Sequence, residues 1–157
     1  MDYQLFPEQT PRLRSGEFEM KVLLIDDNEH LLKAVARLLT REGYQVLTAT
    51  GLSSGADLAD KEMPEVVVAD YNLPDGTGMD FFKWLETSLA NRSYNSKALA
   101  PAYRILISGR PLCEIEEIES SDGTNKIKQL TGFLQKPFRI SELQALLHPQ
   151  QDFCSLS

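Results

Sequence analysis

Five polar side chains each stand at the end of a short apolar run in this sequence. They are Asp26, Asp27, Asp70, Ser108 and Lys136. If the apolar runs are strands of a parallel sheet, their carboxyl ends meet at one edge, and open α/β sheets bind ligands outside that edge. We therefore expect the five side chains to line one crevice.

Three of the five are carboxylates, and carboxylates crowded into a partly desolvated crevice repel one another, which raises their pKa values and destabilises the fold. A divalent cation relieves this repulsion. Oxygen ligands without Cys or His favour a hard ion, and Mg²⁺ takes a few carboxylates together with phosphate oxygens. The pattern therefore predicts a magnesium site, with Lys136 as the positive side chain beside it.

Asp70 has the chemistry of a phosphoryl acceptor. A carboxylate is ionised at neutral pH and needs no general base, and aspartyl phosphates are established covalent intermediates. Transfer also needs positive charge on the equatorial oxygens, which Mg²⁺ and Lys136 would supply. Taken singly, each residue also has a purely structural interpretation. An Asp after a strand is usually a turn or cap residue. Ser108-Gly109 alone is more often a turn, and Lys136 alone is more often a solvated surface lysine. Their coincidence at four strand ends favours chemistry.

Hydrophobic periodicity predicts the elements that position these residues. Short β-branched runs predict strands at residues 21–25, 45–49, 65–69, 103–107 and 132–135. Helical spacing predicts helices after Asn28, over 54–61, over 78–90 and from Ser141. Because parallel neighbours need crossover connections, this alternation predicts an α/β fold, a doubly wound and mostly parallel five-stranded sheet covered on both faces.

Local signals mark where the helices begin and end. Asn28 is the expected N-cap of the first helix, and Gly43 is its stop. A Pro74/Asp75-Gly76 turn precedes the third helix. Ser141 opens a capping box, Ser-Glu-Leu-Gln, at the last helix. The residues expected on the buried sides are Leu31, Val35, Leu38 and Leu39 in the first helix, Phe81, Phe82, Leu85 and Leu89 in the third, and Leu143, Leu146 and Leu147 in the last.

Composition excludes several classes of function. The 157 residues, 42% of them hydrophobic, suffice for one domain, predicted at 20–148, with an N-terminal extension at 1–19 and a C-terminal tail at 149–157. A net charge of −7 argues against nucleic-acid binding. Cys113 and Cys154 form no metal or CxxC pattern, and no spanning or export segment is evident. We expect a cytoplasmic protein that binds no membrane.

At four motifs the chain resembles the receiver domains of two-component response regulators. The resemblance covers about Lys21 to Leu147. Its landmarks are Val22-Leu23-Leu24-Ile25-Asp26-Asp27-Asn28, Val67-Val68-Ala69-Asp70-Tyr71-Asn72-Leu73-Pro74-Asp75-Gly76-Thr77-Gly78, Ile105-Leu106-Ile107-Ser108-Gly109 and Phe133-Leu134-Gln135-Lys136-Pro137-Phe138. Each motif alone is weakly specific, whereas all four in this order are strongly specific. The resemblance implies a flavodoxin-like fold with strand order 2-1-3-4-5.

The resemblance also implies the roles of the acidic residues. Asp70 would be the phospho-acceptor, and Mg²⁺ would be held by Asp26, Asp27, Asp70 and the backbone carbonyl of Asn72. Lys136 matches the lysine that pairs with the acceptor. These roles coincide with the chemistry inferred from the residue types alone.

A switch is implied at two further positions. Ser108 stands at the hydroxyl position that bonds the phosphoryl group, and Phe133 holds the position of an aromatic that follows the hydroxyl residue inward. A plain core aromatic is an equal alternative for Phe133. Pro137 follows what is often a cis peptide in this family. The region 109–131 is irregular and acidic, which leaves the coupling to an output open.

The expected partners are those of a phosphorelay. A sensor histidine kinase or a histidine phosphotransfer protein would be the phosphoryl donor. Fewer than ~15 residues follow the last helix, whereas an output domain needs at least ~50. We therefore expect a single-domain regulator, not a turnover enzyme, that switches the binding of an unidentified effector protein. A second copy of the chain, in a phosphorylation-dependent homodimer, is the alternative partner.

Two other functions compete with this one. A metal-dependent aspartyl phosphohydrolase would use Asp70 in multiple turnovers, but Asn72 is not the second acid that such an enzyme needs, and no cap insertion is evident. A pseudo-receiver would keep the fold as a protein-interaction module without phosphotransfer. The presence of all five polar residues at the strand ends makes this alternative less attractive.

Overall fold

The structure is a computed structural model that describes residues 20–91, 101, 103–123 and 126–147, with no side-chain description for 89–91. Within these residues five strands form one parallel sheet. They are β1 (Lys21–Ile25), β2 (Gln45–Ala49), β3 (Val66–Asp70), β4 (Tyr103–Ser108) and β5 (Gly132–Gln135). Their order is 2-1-3-4-5, as the resemblance implied. The predicted extension 1–19 and tail 149–157 lie outside the described residues.

Helices cover both faces of the sheet. They are α1 (Glu29–Arg41), α2 (Leu52–Glu62), α3 (Gly78–Asn91), α4 (Leu112–Glu119) and α5 (Ile140–Leu147), with a 3₁₀ helix at Lys126–Gln129. One hydrophobic cluster joins the sheet to α1 and α5, and a second joins the opposite face to α2, α3 and α4. The doubly wound α/β prediction is confirmed. Within the described residues, no helix combines the length and apolar character that a bilayer crossing requires.

Two of the three inner strands, β1 and β3, bring their acidic ends together. Residues Val22–Ile25 of β1 and all of β3 are buried, because each strand is covered by helices on both faces. Such strands read as continuous apolar runs rather than as alternating patterns. Their rigid, paired backbones end side by side, with Ile25 opposite Ala69. Asp26 and Asp70 therefore emerge at the same edge of the sheet.

The helix boundaries agree with the sequence at α1 and differ at α5. Asn28 caps α1, since its side chain accepts hydrogen bonds from the His30 and Leu31 amides. The last helix begins at Ile140, so the capping box predicted at Ser141 is wrong. Instead, Glu142 Oε1 accepts a hydrogen bond from the Arg139 amide at 2.7 Å. This single bond lies two residues towards the N-terminus of the predicted position, and the Arg139 side chain has no acceptor with which to complete a capping box.

The buried side of α1 is also rotated from its predicted position. Leu32, Val35 and Leu39 are buried, whereas the predicted Leu31 and Leu38 are only partly buried. Leucines occupy positions 31, 32, 38 and 39, so the pattern alone allows either stripe. Packing against the sheet selects between them. In α3 and α5 the expected Phe81, Phe82, Leu85, Leu143 and Leu147 are buried, Leu146 is partly buried, and the side chain of Leu89 lies outside the described part.

Gly78 marks a close approach between α3 and the end of β3. A Cβ atom at position 78 would lie 2.6 Å from the Asp70 carbonyl oxygen and 2.8 Å from Leu106 Cδ1. The first of these neighbours is backbone and has little freedom to move aside. The Gly78 amide also donates to the Tyr71 carbonyl at 2.9 Å. The first turn of α3 is therefore held directly against the residue that ends β3.

We predict that Gly78→Ala destabilises the protein by about 1–3 kcal/mol, the usual cost of overpacking. Alanine favours a helix over glycine by about 1 kcal/mol, so a loss despite this gain would identify the steric cause. Urea unfolding measures the change. Gly109→Ala is the matched control, because a Cβ there meets nothing within 4 Å. Equal stability of the two variants would contradict the prediction.

Candidate functional site

Three carboxylates meet at the carboxyl edge of the sheet. One oxygen from each of Asp26, Asp27 and Asp70 lies within 4.8 Å of the others. Asp26 and Asp70 are buried, at 1% and 6% exposure, whereas Asp27 is exposed. The Asn28 amide donates to Asp26 Oδ1 at 2.9 Å and so fixes the orientation of that carboxylate. The predicted convergence of these residues is thus present in the structure.

Lys136 supplies a positive charge to the same edge. Its Nζ lies 2.8 Å from Asp26 Oδ2 and 3.2 Å from Asp70 Oδ2. The backbone is held in place because the Lys136 amide donates to the Ser108 carbonyl at 2.7 Å. The Lys136–Pro137 peptide bond is cis, as the resemblance implied. One ammonium group therefore bridges the two buried carboxylates.

Burial and charge act in opposite directions on these groups. Burial, reinforced by the charge of Asp26, raises the pKa of the Asp70 carboxyl, and Lys136 offsets only part of this rise. Burial alone would lower the pKa of Lys136, but its hydrogen bonds and ion pairs with Asp26 and Asp70 raise it instead. The ammonium is therefore charged at neutral pH, and negative charge on Asp70 is only partly compensated.

The arrangement fits a hard divalent cation. All three clustered ligand groups are carboxylate oxygens, and Asp27 offers a side open to solvent. Mg²⁺ prefers such oxygen ligands and retains several waters. The uncompensated charge on Asp70 also favours a cation there. Asn72 lies two residues beyond Asp70, where it begins a short antiparallel pair between Asn72–Leu73 and Gly76–Thr77.

Ser108 and Phe133 lie on the neighbouring strands. Ser108 is fully buried at the end of β4, and its Oγ accepts a hydrogen bond from the Arg110 amide at 2.9 Å. Ile107 pairs with Asp70, which places Ser108 one residue further along the adjacent strand. Phe133 is partly buried and packs against the cluster beneath α2, α3 and α4. Phe133 therefore contacts the same core as the helices next to the site.

Tyr71 connects the site to α4, a contact that the sequence analysis missed. Its ring is buried and its hydroxyl donates to Glu119 Oε2 at 2.8 Å. Burial, together with this bond to Glu119, raises the pKa of Tyr71 to about 12. No local pattern signals the contact, because the two residues are 48 positions apart. The residue after Asp70 is thereby joined to the last residue of α4.

Asp75 was also missed, since we expected it to be only a turn residue. Its carboxylate accepts hydrogen bonds from the Leu52 amide at 2.7 Å and the Ser53 amide at 3.1 Å. These bonds lower its pKa. The available signal was an uncapped helix start, because Gly51 has no side chain with which to cap α2. The loop after Asp70 is thus bonded to α2.

Comparison with known proteins gives one consistent result. Residues 22–93 match the family model described as the response regulator receiver domain. The chain is 32% identical over 130 residues to the transcriptional regulatory protein KdpE of Mycobacterium tuberculosis, covering 80% of this chain and 48% of that protein. It is 27% identical over 133 residues to the cell cycle transcriptional regulator CtrA of Caulobacter vibrioides, covering 82% and 49%.

Solved structures agree on the fold. The chemotaxis protein CheY4 of Vibrio cholerae superimposes with a TM-score of 0.67 at 24% identity, covering 84% of this chain and 98% of that chain. At this identity the likeness shows the fold alone. The chain spans about half the length of the curated relatives it matches.

We predict that Asp70→Asn raises the free energy of unfolding at pH 7 when no divalent cation is present. The substitution removes a buried charge that is only partly compensated, and Lys136 keeps its 2.8 Å bond to Asp26. Because the pKa of Asp70 is raised in the folded state, the gain fades as the pH falls through that pKa and the native carboxyl takes up a proton. Urea unfolding in EDTA at several pH values measures it.

The exposed neighbour provides the control for this prediction. Asp27→Asn removes one negative charge from the same cluster without relieving a buried one. Its effect at pH 7 is expected to be smaller than that of Asp70→Asn. A stabilisation by Asp70→Asn that is unchanged at acid pH would show that the charge of Asp70 is not the cause.

Proposed function

Because this chain belongs to the receiver-domain family of response regulators, we propose that it is switched by transfer of a phosphoryl group onto Asp70. The observation that carries the proposal is the bridge from Lys136 to both Asp26 and Asp70 beside the exposed Asp27. This arrangement places a nucleophile, Asp70, beside the Lys136 ammonium and a set of carboxylate oxygens that can bind a metal ion. A donor phosphohistidine, on a sensor histidine kinase or a histidine phosphotransfer protein, completes the reaction.

The bond changes follow from the residues. A carboxylate oxygen of Asp70 attacks the phosphorus, the N–P bond of the phosphohistidine breaks, and the imidazole leaves with the bonding electron pair. An acyl phosphate remains on Asp70. Asp26, Asp27, Asp70 and the Asn72 carbonyl would hold Mg²⁺, which supplies positive charge to the transferred oxygens when bound. Lys136 contributes a second positive charge from the protein itself.

The switch would start from the new charge. An acyl phosphate carries about 1.5–2 negative charges in place of the single negative charge of the Asp70 carboxylate, which is already buried. The Ser108 hydroxyl lies on the adjacent strand and can donate a hydrogen bond to a phosphoryl oxygen. Moving it would disturb the bond that its Oγ accepts from the Arg110 amide, at the approach to α4. Phe133 packs on the same side of the sheet and would follow.

In this proposal the domain is a cytoplasmic regulator whose output passes through contact with another protein. The net charge of −7 disfavours direct binding to nucleic-acid phosphates. Phosphorylation would change the shape of the surface near α4 and thereby the affinity for an effector or a second copy of the chain. Asp70 is regenerated by hydrolysis of the acyl phosphate, so the chain acts on its own phosphoryl group and is not a turnover enzyme.

Acetyl phosphate with Mg²⁺ tests this proposal directly. We expect intact-mass analysis to show the addition of one phosphoryl group, which is lost in Asp70→Ala and in EDTA. Asp57→Ala is the control, because Asp57 is an exposed carboxylate on α2. Lys136→Met should slow labelling on the order of 10²-fold, the usual cost of removing one preorganised electrostatic contact.

Other outcomes identify the competing functions. Labelling that persists in Asp70→Ala would refute the assignment of the acceptor. A folded wild-type chain that takes up no phosphate would favour a pseudo-receiver, a protein-interaction module without phosphotransfer. Multiple turnover on small phosphate esters, abolished by Asp70→Asn, would favour a phosphohydrolase.

A further inference from the structure

The start of α2 is capped by a residue from another part of the chain. Gly51 occupies the N-cap position and makes no side-chain cap bond. The carboxylate of Asp75 takes its place, with Oδ1 on the Leu52 amide and Oδ2 on the Ser53 amide. Free amides at a helix N-terminus are well satisfied by a carboxylate. The cap of α2 is therefore also a connection to the loop that follows Asp70.

The absence of a side chain at Gly51 leaves room for the Asp75 carboxylate. Its φ of −163° and ψ of −179° are extended, a conformation open to any residue. Backbone freedom therefore does not explain the glycine. A Cβ atom at position 51 would instead lie 2.9 Å from Asp75 Oδ1. An ordinary capping side chain such as Ser would have to displace Asp75, so this position favours the remote cap over a local one.

The other end of the connection is the acceptor loop, defined here as residues 71–77. Asp75 lies in the turn between Asn72–Leu73 and Gly76–Thr77. The opposite side of the loop is held by α3, where Thr77 and Asp80 exchange two hydrogen bonds of 3.0 Å. The turn is thus fixed to α2 through Asp75 and to α3 through Thr77. Asn72 belongs to the same short hairpin and pairs with Thr77 across it.

We propose that Asp75 is a positioning residue that holds the acceptor loop against α2 and so presents the Asn72 carbonyl to the divalent cation. The inference rests on the proposed function and adds to it a residue that lies outside the ligand set. Residues that orient metal ligands commonly contribute 10–100-fold to affinity. Capping α2 alone would contribute to stability but not to cation affinity, and this difference makes the two roles separable.

A pair of variants separates the two roles. Asp75→Ala removes both the cap and the connection. Gly51→Ser in the Asp75→Ala background restores a local cap, since Ser is a preferred N-cap residue in extended backbone and the clash with Asp75 is gone. We expect Asp75→Ala to lower Tm and to weaken Mg²⁺ binding about 10-fold, as read from amide NMR shifts during titration. The double variant should recover Tm but not the affinity.

Asp57→Ala controls for the loss of one exposed negative charge near α2 and should leave the affinity unchanged. An equal loss in this control would attribute the effect to charge and overturn the positioning role. Wild-type affinity in Asp75→Ala or in the double variant would do the same. Gly51→Ser with Asp75 present should weaken binding by displacing the carboxylate, which tests the role without removing Asp75. If the wild-type chain takes up phosphate and binds Mg²⁺, these failures concern Asp75 alone; if it does neither, the proposed function itself fails.

Discussion

Two buried carboxylates stand side by side in this fold, and a single ammonium bonds to both. Asp26 and Asp70 would repel each other at the edge of an apolar sheet, and Lys136 is the group that makes their burial tolerable. These residues lie 110 and 66 positions from Lys136 along the chain. The arrangement exists only when β1, β3 and the turn after β5 are all in place. Charge balance and completed folding are therefore coupled.

The order of the strands determines how long a side chain must be to reach Asp70. β1 and β3 are neighbours, so two short aspartates meet without leaving their strands. β5 is separated from β3 by β4, so a group that arrives from it must be long, and lysine has the required reach. The intervening strand β4 ends in Ser108, whose side chain is small and fully buried. Each residue type is suited to its distance from Asp70.

Much of this was predictable from the sequence because the informative residues lie in central strands. A strand buried on both faces reads as an uninterrupted apolar run, so the ends of β1 and β3 at Asp26 and Asp70 were clear. The rotation of α1 about its own axis could not be predicted, because the adjacent leucines at 31 and 32 both fit the pattern. The contacts of Asp75 and Tyr71 join segments 23 and 48 positions apart, and only the packed helices bring them together.

The two ends of α4 are held differently. At its C-terminal end, Glu119 receives the Tyr71 hydroxyl and lies 4.0 Å from the Lys83 ammonium on α3. At its N-terminal end, Pro111 provides no side-chain cap bond, and the chain arrives directly from Ser108 and Arg110. In the proposed switch, a displacement that begins at Ser108 would enter this helix at its N-terminal end, where Arg110 pairs with Glu114 at 3.4 Å. The first part of α4 to meet that displacement would be its first turn, around Leu112 and the exposed Cys113, ahead of the fully buried Ile115.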